Sequence, residues 1–554
     1  MDNGDIAFVV LHLKINFILD YKIVDNVIYT PDIKQQPDAR GIGWVYYESF
    51  LKHSDRIAQI DGLTGQEDTF GSLLERCVRT AIWLKTEGVQ YGDIISVCTY
   101  NHLNSCVPHV SSMFIGAKIA ALDPSMSLRD ATYLFKMVMP KVIFVGEESV
   151  KLIEDVIQEV GSKTTIVVFG ATKKHISFSE LVKKSVDELN FKPTAARSIN
   201  DIVAIMFSSG TTGLSKGICH THFSILRPDT KTMYLAPTSA KMFSSDSPYW
   251  NIFLLILNHT IQSGVTQVVY PRFDPENPWA ILNGKVTMAF LNISQLMMLC
   301  NTPKPDYIDT SALDMILTGG SPISEKQITK VRSQFPNALV RIIYGQTEVF
   351  ESIFCLDWSN PKHLEIIEKK PNSCGLPKLG INYKIVDLET GKPLGANQKG
   401  ELRVKTEMQL SGYYNMDSSG IWDEDGWLKT GDYGYYDEDC CFYISDRIKE
   451  MFKYQYWHIV PAVLESILMT HPAVSRAVVI GIPHEIDDNH PMAVVQLRKN
   501  ANATELEIKK YLDDQVEDRQ KLRGGVKFVK DFPITTSQKV NRWKLKQMIL
   551  KNEI

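Results

Sequence analysis

Short apolar runs rich in β-branched residues recur at Ile94 to Cys98, Val142 to Val145 and Ile166 to Phe169, with helical patterns between them. Strands that alternate with helices pair side by side in parallel, so the chain is constrained to α/β layers built on largely parallel sheets. Upstream, Thr69 opens a helix whose Leu73, Leu74, Cys77, Val78, Ala81, Ile82 and Leu84 keep helical spacing, and Gly88 stops it. Between Tyr383 and Val404 the pattern changes to short strands around the turn Glu389-Thr390-Gly391-Lys392-Pro393, a β-rich subdomain. Beyond Asp446 it changes again, to a helix over Pro461 to Thr470, a strand over Ala477 to Ile482 and a helix over Glu505 to Leu512 capped by Thr504 with Glu507. A chain of 554 residues exceeds one ordinary core. The expectation is a large N-terminal domain of layered α/β sheets plus the β-rich subdomain, residues 1–445, and a small α+β C-terminal domain, residues 446–554.

The most informative loop follows the run Ile202-Val203-Ala204-Ile205-Met206-Phe207. It reads Ser208-Ser209-Gly210-Thr211-Thr212-Gly213-Leu214-Ser215-Lys216-Gly217. A buried strand that breaks into glycines and hydroxyls presents backbone N–H groups to anions. Glycine allows close backbone approach, the hydroxyls can donate to phosphate oxygens or reach a metal, and Lys216 adds a point charge. It is not a Walker A loop, because Leu214 and Ser215 separate Gly213 from the lysine.

This string resembles the phosphate loop of the adenylate-forming superfamily of acyl- and aryl-CoA synthetases, coumarate:CoA ligases, beetle luciferases and peptide-synthetase adenylation domains. Further stretches match in the family's order: Thr318-Gly319-Gly320-Ser321-Pro322, Tyr344-Gly345-Gln346-Thr347-Glu348, Gly426-Trp427-Leu428-Lys429-Thr430-Gly431-Asp432, Asp446-Arg447-Ile448-Lys449-Glu450 and Pro533-Ile534-Thr535-Thr536-Ser537-Gln538-Lys539-Val540. The resemblance implies a carboxylic acid:CoA ligase of the insect luciferase-like type, using ATP, Mg²⁺ and coenzyme A and acting through an acyl-adenylate. A luciferase-like monooxygenase, or a divergent nucleotide- or acyl-binding protein impaired in thioester formation, is the alternative.

The same resemblance implies the site. Ser208, Ser209, Gly210, Thr211, Thr212, Gly213 and Lys216 would hold the β- and γ-phosphates. Glu348 with the Thr211 or Thr212 hydroxyl would hold Mg²⁺, since a hard cation takes oxygen ligands. Gly319, Gly320, Ser321 and the stretch Tyr344, Gly345, Gln346 and Thr347 would line the adenine pocket, with Tyr344 stacked on the base. Asp432 would accept both ribose hydroxyls, assisted by Arg447. Lys539, supported by Arg542, would reach from the small domain to the α-phosphate and carboxylate, so that Lys539, Glu348 and Thr347 form the catalytic set. Lys449 and Lys453 join the cofactor-binding set, and 446–449 becomes the hinge on which the small domain turns. The chain departs from the family pattern at Trp250, where many members carry a histidine, at Ser215 in place of proline, and at Tyr456 in place of a glycine that enters the site for thioester formation.

A net charge of -4 gives no reason to expect nucleic acid as a partner. The partner expected is a small-molecule carboxylic acid; nothing in the sequence bears on oligomeric state. Ile6 to Leu11 is too short for a membrane span and is flanked by Asp2 and Asp5, unlike a signal peptide. Nine cysteines, an odd count without dense spacing, point to a reducing compartment. The cytoplasm is expected, with the peroxisome as the other compartment used by such enzymes, although Asn552-Glu553-Ile554 is not its Ser-Lys-Leu address. Cys440-Cys441 reads as buried small hydrophobes in a strand ending Phe442-Tyr443-Ile444. Cys219-His220-Thr221-His222 reads as a strand-to-helix connection, not a zinc site, because no second ligand cluster lies nearby.

Overall fold

The computed structural model describes residues 21–184, 186–208, 215–227, 239–357, 360–455, 457–534 and 539–554. Its first sheet has seven strands in the order Lys216–Thr221, Ile202–Ser208, Lys118–Leu122, Ile94–Cys98, Val142–Gly146, Thr165–Phe169 and Ile176–Ser177. All neighbours are parallel except Ile202–Ser208 with Lys216–Thr221, which run antiparallel and hold the phosphate-loop sequence between them. The three strand runs expected between Ile94 and Phe169 are all in it, and every residue of Ile94–Cys98 and Val142–Gly146 is buried. The helix Phe70–Thr86 is capped by the Thr69 side chain, which accepts from the Ser72 N–H, and it lays Leu73, Leu74, Cys77, Val78, Ala81 and Leu84 into this core.

A second seven-stranded sheet runs Leu339–Ile343, Met315–Gly319, Met288–Phe290, Lys241–Ser244, Thr266–Val269, Ile57–Asp61 and Glu67–Thr69. It is parallel but for its last pair. Residues from both sheets share one apolar core, in which Met288, Phe290, Met315 and Leu317 meet the helices of the first sheet. The β-rich subdomain is an antiparallel sheet containing Ile381–Val386, Gly400–Thr406, Leu428–Tyr436 and Phe442–Arg447. At its rim, the strand begins only at Phe442. Cys440 and Cys441 are buried as expected, but they sit in the preceding turn, where the Asp437 carboxylate accepts from the N–H groups of Asp439 and Cys441 and Cys440 takes φ +57°. An Asp collecting the amides ahead of it is turn chemistry, and it overrides the apolar reading of the run.

The last part of the chain builds a separate five-stranded sheet from Phe452–Tyr454, Trp457–Ile459, Val474–His484, Asp488–Leu497 and Gly525–Phe528, with its own apolar cores. Helix Pro461–Leu468 packs on it, and helix Glu505–Asp513 starts at the expected capping box, with Thr504 Oγ1 taking the Glu507 N–H and Glu507 Oε2 taking the Thr504 N–H. The fold is thus mixed α/β, with a large N-terminal part and a small α+β C-terminal part. Among the described residues no helix is long and apolar enough to cross a membrane.

Candidate active site

Strands Met315–Gly319 and Leu339–Ile343 are parallel neighbours, with Gly319 opposite Ile343. Their carboxyl ends therefore deliver Gly319-Gly320-Ser321 and Tyr344 to Glu348 to the same edge, where α/β sheets bind ligands. A Cβ on Gly319 would lie 2.2 Å from the Ile343 carbonyl oxygen, so only glycine fits this approach. Gly320 and Ser321 are exposed, and Ser321 Oγ donates to the Gly320 carbonyl at 2.8 Å. Gly345–Gln346 pairs back onto Val349–Ser352, and the Ile353 N–H donates to the Tyr344 carbonyl at 2.9 Å, which closes the segment into a short hairpin. Below it, Lys378 and Glu351 form a buried ion pair at 2.5 Å. One face of the Tyr344 ring is occupied by Phe354, centroids 5.4 Å apart, and Phe354 stacks in turn on Phe442 at 4.4 Å.

Asp432 is the hub. Gly431 takes φ +67°, a conformation that favours glycine, and turns the chain so that the Asp432 side chain, 4% exposed, faces the hairpin. Its Oδ2 accepts from the Tyr344 hydroxyl at 2.5 Å and from Gln346 Nε2 at 2.6 Å, while Oδ1 forms an ion pair with Arg447 Nε at 2.7 Å. Arg447 stands directly across the antiparallel register from Asp432. Gln346 Nε2 also donates to the Thr430 carbonyl at 2.8 Å. Three motif stretches far apart in the chain thus meet on one carboxylate. Burial, and then the Asp432 charge, push the Tyr344 hydroxyl well above its ordinary range, so Tyr344 stays a neutral donor.

Glu348 lies one step from this hub, half-buried. Burial raises its carboxyl above the usual range, against the pull of its own backbone N–H, Arg447 and Lys216, while Asp432 pushes the same way as burial. Lys216 begins strand Lys216–Thr221 opposite Ser208, and its ammonium sits 4.5 Å over the Tyr413 ring. Two places further on the same strand face, past Ile218, is His220. It is fully buried, its Nε2 donates to the Thr347 carbonyl at 2.7 Å, and burial lowers its pKa to about 4. Burial thus favours a neutral His220, whose Nε2–H holds the backbone immediately before Glu348. In sequence His220 reads as part of a structural connection; the alternation of strand residues that turns it toward the Glu348 segment is the signal for its role. His222 Nδ1 accepts the Ile42 N–H at 3.2 Å, so the two histidines serve different elements.

Lys539 lies in the field of both Arg447 and Asp432. Desolvation and then Arg447 hold its ammonium below the ordinary lysine range, and Asp432 opposes them. Arg542 anchors the segment behind it, through Glu465 at 2.7 Å, Glu450 at 3.4 Å and the Val479 carbonyl at 3.0 Å. Asp446 is buried, accepts the Ala462 N–H at the start of helix Pro461–Leu468 at 2.9 Å, and is pushed up to about 6 by that burial. Lys449 and Lys453 are exposed, Lys453 on strand Phe452–Tyr454. Trp250 packs edge-on against Tyr249, whose ring stacks on Phe207 just ahead of the phosphate loop. Ser209, Gly210, Thr211, Thr212, Gly213, Thr535 to Gln538 and Tyr456 lie outside the described residues.

The pattern that defines AMP-binding enzymes matches residues 47–414, and that of the AMP-binding enzyme C-terminal domain matches residues 463–539. The chain belongs to this adenylate-forming family. It is similar to luciferin 4-monooxygenase of Photinus pyralis, 31% identical over 529 residues that cover 91% of this chain and 94% of that one. It is also similar to 4-coumarate--CoA ligase 2 of Petroselinum crispum, 28% identical over 519 residues covering 92% and 94%. Among solved structures, the luciferase-like enzyme from the nonluminescent Zophobas morio mealworm matches with a TM-score of 0.71 and 36% identity, covering 77% of this chain and 100% of that chain.

Proposed function

We propose that this protein is an ATP-dependent carboxylic acid:CoA ligase working through an acyl-adenylate. The observation that carries the reading is the meeting of Tyr344, Gln346 and Arg447 on Asp432, with Lys539 in the same field. The substrate carboxylate oxygen bonds to the α-phosphorus, the bond to the bridging oxygen breaks, and pyrophosphate leaves with its electron pair. The thiolate of coenzyme A then adds to the acyl carbonyl and AMP departs. Neither step needs a covalent protein nucleophile, so the chain's task is to position the groups and to meet charge where it develops. Asp432 accepts from the ribose, Tyr344 presents the face opposite Phe354 to the base, Lys216 and the loop around it meet the phosphates, and Lys539 meets the α-phosphate and carboxylate.

The Glu348 region fits a magnesium ion in the chemistry of its donor, a half-buried carboxylate in the field of Lys216, and by the family resemblance the Thr211 or Thr212 hydroxyl would join it. Bound there, Mg²⁺ would neutralise charge on the phosphates and the leaving pyrophosphate. Glu348→Gln is expected to raise the Mg²⁺ concentration for half-maximal adenylation about tenfold or more, because a neutral amide lacks the charge a hard cation requires. A magnesium titration that does not move would take Glu348 out of the site. We further propose that residues 1–445 and 446–554 are the two domains and 446–449 their hinge, a reading supported by the buried Asp446, which ties the last N-terminal strand to helix Pro461–Leu468.

One observation favours a variant of this reading. Where the family pattern has a glycine that enters for thioester formation, this sequence has Tyr456 followed by Trp457, and by that resemblance two aromatic side chains would replace the room a thiol and its pantetheine arm need. Adenylation is then expected to outpace thioester formation. The experiment that tests both is single turnover with a panel of fatty, cinnamic and short-chain acids, following pyrophosphate, acyl-adenylate and acyl-CoA separately. Pyrophosphate release with no acid on the panel would remove the ligase reading. Rapid, complete conversion to acyl-CoA would remove only the variant, and light emission on adding oxygen would point to the luciferase chemistry that Trp250 argues against.

A further inference from the structure

The hairpin formed by Val474–His484 and Asp488–Leu497 in the C-terminal sheet carries a cluster the adenylation chemistry does not use. Ile482 pairs with His490 and His484 with Asp488, so His484 and His490 lie on one face, diagonal to each other. Their rings stack with centroids 3.8 Å apart and planes 17° apart. Asp487, in the turn, brings Oδ2 to 2.9 Å from His490 Nε2 and 3.6 Å from His484 Nδ1. The three ligand atoms all lie within 4.8 Å of one another. Asp487 and His490 are mostly shielded while His484 opens to solvent, which leaves an entry path. His484 Nδ1 also takes long contacts from the N–H groups of Asp487 and Ile486, at 3.3 and 3.4 Å, which an ion at this nitrogen would displace.

We infer that His484 Nδ1, Asp487 Oδ2 and His490 Nε2 form a three-ligand site for a borderline divalent ion such as Zn²⁺ or Co²⁺. Two imidazoles and one carboxylate select such ions over Mg²⁺ and Ca²⁺, and three protein ligands leave a position for water or another donor. The site is built into the turn that holds the loop before Tyr456. Asp487 Oδ1 accepts from Gln455 Nε2 at 2.9 Å, and the Asp487 carbonyl accepts the Gln455 N–H at 2.9 Å. Gln455 is held at φ +52°, where a non-glycine residue needs such support. An ion on Oδ2 leaves Oδ1 to Gln455, so the carboxylate ties the metal to the segment 452–459.

The test titrates Co²⁺ into the full chain, freed of any histidine tag and stripped with chelator, and follows the visible absorption of the bound ion. The expected result is one Co²⁺ per chain with bands of nitrogen and oxygen ligation, no thiolate charge-transfer band, displacement by Zn²⁺ and none by millimolar Mg²⁺. His484→Ala and His490→Ala should each weaken binding by roughly tenfold or more, since even indirect partners of a metal contribute that much. Melting temperatures of the variants check their folding, and the titration of the unmodified chain stands apart from them. No saturable Co²⁺ binding by the unmodified chain, or unchanged binding in folded variants, would overturn the site. With Zn²⁺ bound, hydrogen exchange over 452–459 should slow; exchange unchanged there would overturn the link to Gln455. These outcomes do not depend on finding an acid substrate, so failure of the site and failure of the ligase reading are distinguishable.

Discussion

Lys539→Ala is expected to slow adenylate formation by at least ~10²-fold, the scale for removing one preorganised charge contact, while ATP affinity stays close to that of the unmodified chain. The reason lies in what surrounds the ammonium. Lys539 is exposed as a residue, but its ammonium is turned toward the protein, where partial desolvation and the field of Arg447 disfavour its charge and Asp432 offsets them only in part. A cation held against such opposition gains most when negative charge gathers nearby, as it does when the carboxylate closes on the α-phosphate. An interaction stronger in the transition state than in the ground state appears in kcat and little in binding. The same field sets a pH dependence: the ammonium is the active form, its pKa is lowered, and adenylation should fall with rising pH earlier than an ordinary lysine would dictate. Lys539→Arg should restore only part of the rate, because a planar guanidinium does not reproduce a compact point charge. Pyrophosphate release near the normal rate in Lys539→Ala would sink the assignment.

The parallel layers were legible because fully buried strands such as Ile94–Cys98 leave unbroken apolar runs, and the helix start at Thr69 and the capping pair Thr504 with Glu507 act within one turn. Local chemistry writes itself into adjacent residues. The turn at Cys440 was missed because the decisive contact, the Asp437 carboxylate on the N–H groups ahead of it, competes with an apolar run that reads as strand. The site was legible as an ordered set of motifs, but its geometry was not. Nothing in Tyr344 to Glu348 announces that Tyr344 and Gln346 share an acceptor with Arg447, because the partners are brought together only by strand Leu428–Tyr436 pairing with Phe442–Arg447. His220 and the pair His484 and His490 escaped for the same reason: each acquires its role from a strand face that sequence spacing alone does not orient.

Asp432→Ala is expected to raise the apparent KM for ATP by about 10²-fold, since a hydrogen bond to a charged acceptor contributes about 1.5–3 kcal/mol and two ribose hydroxyls are at stake. A carboxylate offers about four lone-pair sites. Tyr344 and Gln346 occupy those of Oδ2, and Arg447 is ion-paired at 2.7 Å on the Oδ1 side, which narrows the room for incoming donors. A ribose presenting two hydroxyls therefore competes with the resident donors, and Tyr344, whose hydroxyl can turn to another acceptor, is the one best able to yield. It follows that Tyr344→Phe should disturb ATP affinity far less than Asp432→Ala, and that Asp432→Asn should fall near the alanine variant, because its amide nitrogen would face donors it cannot satisfy. Removal of the carboxylate also leaves the buried Gln346 amide and Tyr344 hydroxyl without their shared acceptor, so a loss of about 1–3 kcal/mol of stability should accompany the change. Calorimetric titration of ATP and thermal melting of the three variants separate the effects. If Asp432→Ala lowers the melting temperature but binds ATP as the unmodified chain does, Asp432 serves only to join Tyr344, Gln346 and Arg447, and the ribose must be held elsewhere.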